Sequence, residues 1–257
     1  MILVLAGTSD ARELAEKIKQ AGYPLLATVV TDNAAKSLEE AGIPVQVGRL
    51  NAEAIKQLIE EKGVECVVDA SHPFAEEASR NAMAAAQAAN VPYIRYERAG
   101  SDAPQNEKLI VVDDYVQAAE LAAQKKGVIM LTTGSKTLNI FADRLIGLPD
   151  TTLVARMLPR VDNMVKCEEL GLEQKNIVAM QGPFSKELNK ALYAHYGVTL
   201  MITKESGKVG AFDEKVEAAL EMGIETIVIG RPRIEYGSRF SDFDGVLDEL
   251  KTSMGGK

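Results

Sequence analysis

The sequence predicts an α/β protein of two Rossmann-like domains, each with a mainly parallel sheet, and a cleft between them. Three observations predict it. Short, β-branched apolar runs alternate along the chain with longer amphipathic stretches. The runs are continuously apolar rather than alternating, which marks strands covered on both faces. There are eleven of them, many for one open sheet.

In chain order the expected strands are 2–6, 25–30, 43–47, 64–70, 92–96, 109–112, 128–132, 152–155, 177–180, 198–203 and 226–230. Between them, 9–21 reads as a helix: Leu14, Ile18 and Ala21 share a stripe, Asp10 with Glu13 forms a capping box, and Gly22 ends it. Residues 51–62, 74–90, 114–126, 185–196 and 213–222 read similarly, and 240–251 as a closing helix. Strict alternation of strand and helix implies right-handed βαβ units. The polar, aperiodic stretch 97–108 carries Gly and Pro and sets the domain boundary, giving domains at 1–97 and 98–257. No repeat is visible at the level of residues.

Composition limits the function. With 29 basic against 37 acidic side chains the formal charge is −8, which speaks against nucleic acid and anionic membrane as partners. Cys66 and Cys167 are far apart in sequence, and neither a disulfide framework nor a thiolate metal site is expected. The opening Met1-Ile2-Leu3-Val4-Leu5-Ala6-Gly7 has no basic flank and a short apolar stretch, so it reads as a strand and not a signal sequence. A cytoplasmic location is expected; oligomeric state is not legible.

In parallel sheets ligands bind beyond the carboxyl ends of the strands. There the first strand runs into Gly7-Thr8-Ser9-Asp10-Ala11-Arg12, a glycine turn leading directly into a helix, which suits a phosphate or serves as an ordinary capped turn. The fourth run ends in Asp69-Ala70-Ser71-His72-Pro73-Phe74-Ala75, which brings a carboxylate, a hydroxyl and an imidazole to one loop. Its ordinary reading is a helix cap by Ser71, with Pro73 starting the helix. Neither a zinc site nor a Ser-His-Asp triad is supported, because His72 has no neighbouring ligand and Ser71 no nucleophile elbow. His195 reads as a helix-end residue. Further polar loops are Thr132-Thr133-Gly134-Ser135-Lys136, Arg156-Met157-Leu158-Pro159-Arg160, Gln181-Gly182-Pro183-Phe184-Ser185 and Thr203-Lys204-Glu205-Ser206-Gly207, with Arg95 and Arg98 beside the boundary. Local cations in an acidic chain imply a ligand with several carboxylates or phosphates.

Taken in order and spacing, the Gly7 to Arg12 turn, the Asp69 to Ala75 motif, Thr133-Gly134-Ser135-Lys136, the Gln181 loop and Thr203 to Gly207 resemble the precorrin-6A reductase family, including its cobalt-precorrin-6A reductases, over nearly the whole chain. The resemblance implies reduction of one double bond of a precorrin macrocycle by a nicotinamide cofactor in cobalamin biosynthesis. It also implies cofactor contacts from Gly7, Thr8, Ser9, Asp10 and Arg12, with Ser71 and His72 on the nicotinamide side. Substrate contacts would come from Arg95, Arg98, Thr133, Ser135, Lys136, Gln181, Lys204 and Ser206. His72 and Lys204 are the expected catalytic proton donors, with water a third. The chain departs from the family pattern at Ala6 and Ser71, where Gly and Thr are usual, and at Gly210-Ala211, where a double glycine is usual.

Around the second strand end, Thr31 and Lys36 stand with Asp32, and Arg49 follows the third run. A cation there favours NADPH and an acid NADH, and the balance leans to NADPH. Two other readings use the same loops: a cofactor-free tetrapyrrole enzyme resembling uroporphyrinogen-III synthase, and a non-enzymatic two-domain ligand-binding protein.

Overall fold

The computed structural model describes residues 1–100, 106–205 and 212–255. Its elements run β1 (Ile2–Leu5), α1 (Ser9–Gln20), β2 (Leu25–Val29), α2 (Asp32–Glu40), β3 (Val45–Val47), α3 (Ala52–Lys62), β4 (Cys66–Asp69), α4 (Glu76–Ala88) and β5 (Tyr93–Tyr96). There follow β6 (Leu109–Val112), α5 (Tyr115–Lys125), β7 (Gly127–Leu131), α6 (Leu138–Leu145), β8 (Thr151–Met157), α7 (Val161–Glu169), a 3-10 turn (Gln174–Asn176) and β9 (Ile177–Ala179). The chain continues through α8 (Lys186–Tyr196), β10 (Leu200–Lys204), α9 (Phe212–Glu221), β11 (Glu225–Ile229), β12 (Arg239–Phe240) and α10 (Phe243–Ser253). All eleven expected runs are strands.

Two compact units emerge, Met1–Ala99 with Arg233–Lys257, and Gly100–Pro232. The first holds the sheet β12-β5-β4-β1-β2-β3, the second the sheet β6-β11-β10-β7-β8-β9, and the strand pairings within both are parallel. A second domain over 98–257 therefore needs correction at its far end. Arg239 and Phe240 pair with Arg95 and Tyr96 of the first sheet, and α10 buries Val246 and Leu250 in the same core as Ile2, Leu14 and Ile94.

Each sheet is covered on both faces, as its continuous apolar runs require. In the first unit, Ile2 and Val4 face the α1 and α10 side with Leu14, Ile18 and Val246. Leu3 and Leu5, pointing the other way, meet Ile55 and Ile59 of α3 and Ala82 and Ala85 of α4. In the second unit Met130, Val154 and Met201 pack against Tyr193 of α8 and Val216 and Ala219 of α9.

Two local readings also change. Helix α1 is capped by Thr8, whose Oγ1 accepts the Ala11 amide at 3.3 Å, in place of an Asp10–Glu13 box. Helix α4 starts at Glu76 behind Ala75, so neither Ser71 nor Pro73 begins it. Cys66 and Cys167 are both buried and free; burial pushes the Cys66 thiol up to about 12, and it is inert at neutral pH.

Candidate functional site

In the first sheet the order of connections reverses between β1 and β4, and such a switch point is where open α/β sheets bind ligands. Gly7 makes the turn out of β1 with φ +145°, a conformation closed to most side chains, and a Cβ there would meet nothing within 4 Å. Beyond it lies a cavity of about 220 Å³, lined by Gly7, Thr8, Ser9 and Arg12 from the β1–α1 turn and Asn33, Ala34, Ser37 and Leu38 from α2. Two helix N-termini, α1 and α2, thus open on one cavity. Their positive ends and first amides favour a phosphate group, so these residues fit a dinucleotide.

The acidic end of β4 is a buried network. Asp69 and Arg95 stand opposite each other in register on β4 and β5, both fully buried, with Arg95 Nη1 3.0 Å from Asp69 Oδ1. Arg95 Nη2 also reaches Glu97 Oε2 at 3.1 Å, and its guanidinium lies over the Tyr236 ring at 5.0 Å. Tyr93 donates its hydroxyl hydrogen bond to Asp69 Oδ2 at 2.7 Å, and burial together with the Asp69 charge pushes its pKa upward. Burial, the largest single influence, would lower the Arg95 pKa, yet Asp69, Tyr236 and Glu97 together outweigh it and the net shift is upward.

The network grips the loop that follows. The Ser71 amide donates to Asp69 Oδ1 at 2.9 Å, and Ser71 Oγ accepts from Arg95 Nη1 at 3.2 Å. One residue on, His72 Nδ1 accepts from the Phe74 amide at 3.1 Å, which assigns the neutral tautomer with its proton on Nε2. The backbone thus holds the half-buried imidazole in place.

In the second unit the turn after β7 is held by Lys166, whose Nζ donates to the carbonyls of Ser135 and Lys136 at 2.8 and 3.2 Å. Ser135 Oγ donates to Asn163 Oδ1 at 2.5 Å, and Lys136 is exposed. Lys204, at the end of β10, is half-buried, and burial with the nearby Lys136 charge lowers its pKa. Among the described residues no cluster of His, Cys, Asp or Glu could hold a metal, and no helix is long and apolar enough to cross a membrane.

The sequence matches the family model for the precorrin-6x reductases CbiJ and CobK over residues 1–251. The chain belongs to that family. A cobalt-precorrin-6A reductase of Priestia megaterium is 61% identical to this reductase over 97% of the chain and 98% of its own length. One from Methanocaldococcus jannaschii is 37% identical over 96% of both. Among solved structures, a CobK precorrin-6A reductase covers 98% of this chain and 96% of its own with a TM-score of 0.80 and 24% identity, a likeness of fold. Membership makes the reductase an enzyme of cobalamin biosynthesis and sets aside the synthase-like and non-enzymatic readings.

The structure sorts the residues expected at the reductase's site. Gly7, Thr8, Ser9 and Arg12 meet at the cavity; Asp10, Thr31 and Arg49 do not line it. Both Asp10 carboxylate oxygens accept from Arg98 Nη1 at 3.1 Å, so an expected cofactor contact and an expected substrate contact neutralise each other. Thr31 caps α2 through the Ala34 amide, and Arg49 is exposed. Arg95 is corrected outright: with no exposed surface and two carboxylate partners, it orders Ser71 and is closed to a substrate. Thr133 is buried with an unpartnered hydroxyl, Gln181 is exposed, and Ser206 lies outside the described residues. Asn33 and Ser37, which line the cavity from α2, escaped the sequence reading. The signal was available, since both lie in the first two turns after the second strand.

Proposed function

We propose that this reductase uses NADH to reduce a ring double bond of cobalt-precorrin-6A, giving the 6B form. The observation that carries the reading is the cavity between the β1–α1 turn and α2 in a chain of this family. When bound, the nicotinamide supplies the hydride. The chain's own part is to place and shield it: the α1 and α2 N-termini take the pyrophosphate end, with the Thr8 hydroxyl committed to its cap, the Ser37 hydroxyl donating to the Asn33 carbonyl at 3.4 Å, and Ser9 offering its own. Ser71 and His72 are assigned to the nicotinamide side.

NADH, in place of the NADPH towards which the residues after the second and third strands lean, is supported by the cavity's charge. Arg12 is the sole cation among its lining residues, its Nε lies 3.4 Å from Glu16 Oε1, and Arg49 is not part of the lining. Asp32 follows the second strand in the first turn of α2, the place from which an acid binds a ribose 2′-hydroxyl and repels a 2′-phosphate. The cobalt-bound substrate is supported by the names of the two relatives above.

Anaerobic incubation with metal-free and cobalt-bound precorrin-6A, each with NADH and NADPH, tests all parts at once. The cobalt form with NADH is expected to lose its chromophore fastest. Faster turnover with NADPH overturns the cofactor assignment, and no turnover of either macrocycle overturns the function.

A further inference from the structure

The second unit repeats the strand order of the first: β9-β8-β7-β10-β11 corresponds to β3-β2-β1-β4-β5. The helices correspond as well. α6 follows β7 as α1 follows β1, and α7 follows β8 as α2 follows β2. The turn after β7 keeps the parts of a phosphate cradle. Gly134 takes φ +82°, in the region that favours glycine, as Gly7 does in the first unit. Helix α6 begins behind Thr137, whose side chain makes no capping bond, so no side chain caps its first amides. On these parts alone the second unit would hold a dinucleotide of its own.

Across from that turn the two units differ. α2 and α7 are both nine residues long, so their positions can be matched by counting from the first residue. The seventh is buried in both, as Leu38 and as Cys167. The third and sixth lie on the same face as the seventh. In α2 they are Ala34 and Ser37, which line the cavity of the first unit. Ala34 ends at its Cβ, and Ser37 turns its hydroxyl back to the Asn33 carbonyl, so among the described residues neither side chain bonds to the β1–α1 turn.

In α7 the same two positions are Asn163 and Lys166, and both reach across. Lys166 Nζ donates to the Ser135 and Lys136 carbonyls, and Asn163 Oδ1 accepts from Ser135 Oγ. Asn163 is itself fixed, its Nδ2 donating to the Leu158 carbonyl at 3.0 Å. The turn therefore shows carbonyl oxygens to α7, and an ammonium group already occupies them. A pyrophosphate placed there as in the first unit would break all three bonds across the gap. A brace for the turn accounts for the bonds themselves. It does not account for their falling at the two helix positions that line the open cavity in the first unit.

We propose that Asn163 and Lys166 bar a dinucleotide from the second unit, while Ala34 and Ser37 admit it to the first. Each chain then takes one cofactor, and the turn carrying Ser135 and Lys136 stays fixed. The proposal deepens the cofactor reading above and rests on it.

Titration calorimetry of the full chain with NADH, and separately NADPH, up to millimolar concentration tests it. The wild type is expected to bind one NADH. Asn163→Ala/Lys166→Ser, which gives α7 the two residues of α2, is expected to bind two, the second about 10- to 100-fold more weakly. Ala34→Trp, which fills the first cavity, is expected to bind none, and to leave one weak site when combined with the opened α7. One NADH in both the wild type and the opened chain overturns the proposal and leaves the cofactor reading standing, as do two NADH in the wild type. A wild type that binds neither dinucleotide removes the cofactor reading and the proposal with it. Should the double variant fail to fold, Lys166→Ser alone, at a half-buried position, carries the same comparison.

Discussion

Asp69 shows how one side chain serves both stability and site. Its carboxylate is fully buried, paired with Arg95, accepting from Tyr93 and holding the Ser71 amide. Removing one partner of such a pair leaves the other charge buried alone. Asp69→Asn is therefore expected to cost about 3–5 kcal/mol in urea denaturation, while the double variant Asp69→Leu/Arg95→Met recovers most of that loss. A double variant as unstable as the single one would show that the ion pair itself, and not the stranded charge, holds the strands. His72 and Lys204 belong to the same scale. Because the hydride comes from the cofactor, His72→Ala and Lys204→Ala are each expected to slow turnover by less than about a thousandfold. A larger drop at unchanged substrate affinity would mark that residue as an indispensable proton donor.

At the level of elements, α9 and the strands beneath it make a pH-sensitive body. Lys215 is faced by Arg156 from β8, Lys204 from β10 and Tyr193 from α8, and its pKa in the folded chain is lowered from 10.5 to about 7. Between those values the unfolded chain binds the extra proton, so stability rises with pH from about 7 to about 10. Lys215→Met is expected to flatten that rise and to stabilise the protein on the order of 4 kcal/mol below pH 7. Denaturation curves at pH 6 and 9 check this, and parallel curves for wild type and variant would refute it.

Element by element, legibility followed the pattern of burial. The eleven strand runs were readable because both faces are covered and nearly every residue is apolar. Helix α7 was not: its buried positions include Asn163 and Cys167, while Val161 and Val165 face solvent, which erases the stripe. Helix α2 buries only Ala35 and Leu38, and β12 is two residues long with its partner far back in the sequence. At the site, the glycine turn was legible because it is local. The fate of Arg95 was not, since it depends on a register between strands. Yet opposite charges near the carboxyl ends of two consecutive apolar runs, Asp69 and Arg95, were a signal of mutual pairing.

For the whole molecule, the discontinuous first unit has a direct consequence for stability. Deleting residues 233–257 removes β12, uncovers β5, and takes Val246 and Leu250 out of the core, each worth about 1.5–3 kcal/mol. Hydrogen exchange should then accelerate in β1, β4 and β5 and remain slow in β7, β10 and β11. Equal acceleration in both sheets would mean the two units do not unfold separately.

The same interruption orders events on the ribosome. The second unit is one uninterrupted stretch, Gly100–Pro232, and all its strands have been synthesised before the edge strand of the first sheet is translated. At about 5–20 residues per second, the final segment follows only seconds later. Until then the emerging chain carries β5 with an open hydrogen-bonding edge beside a neighbour free to fold. The usual amino-to-carboxyl order of domain folding is thereby reversed: the unit that begins the polypeptide is the last to close.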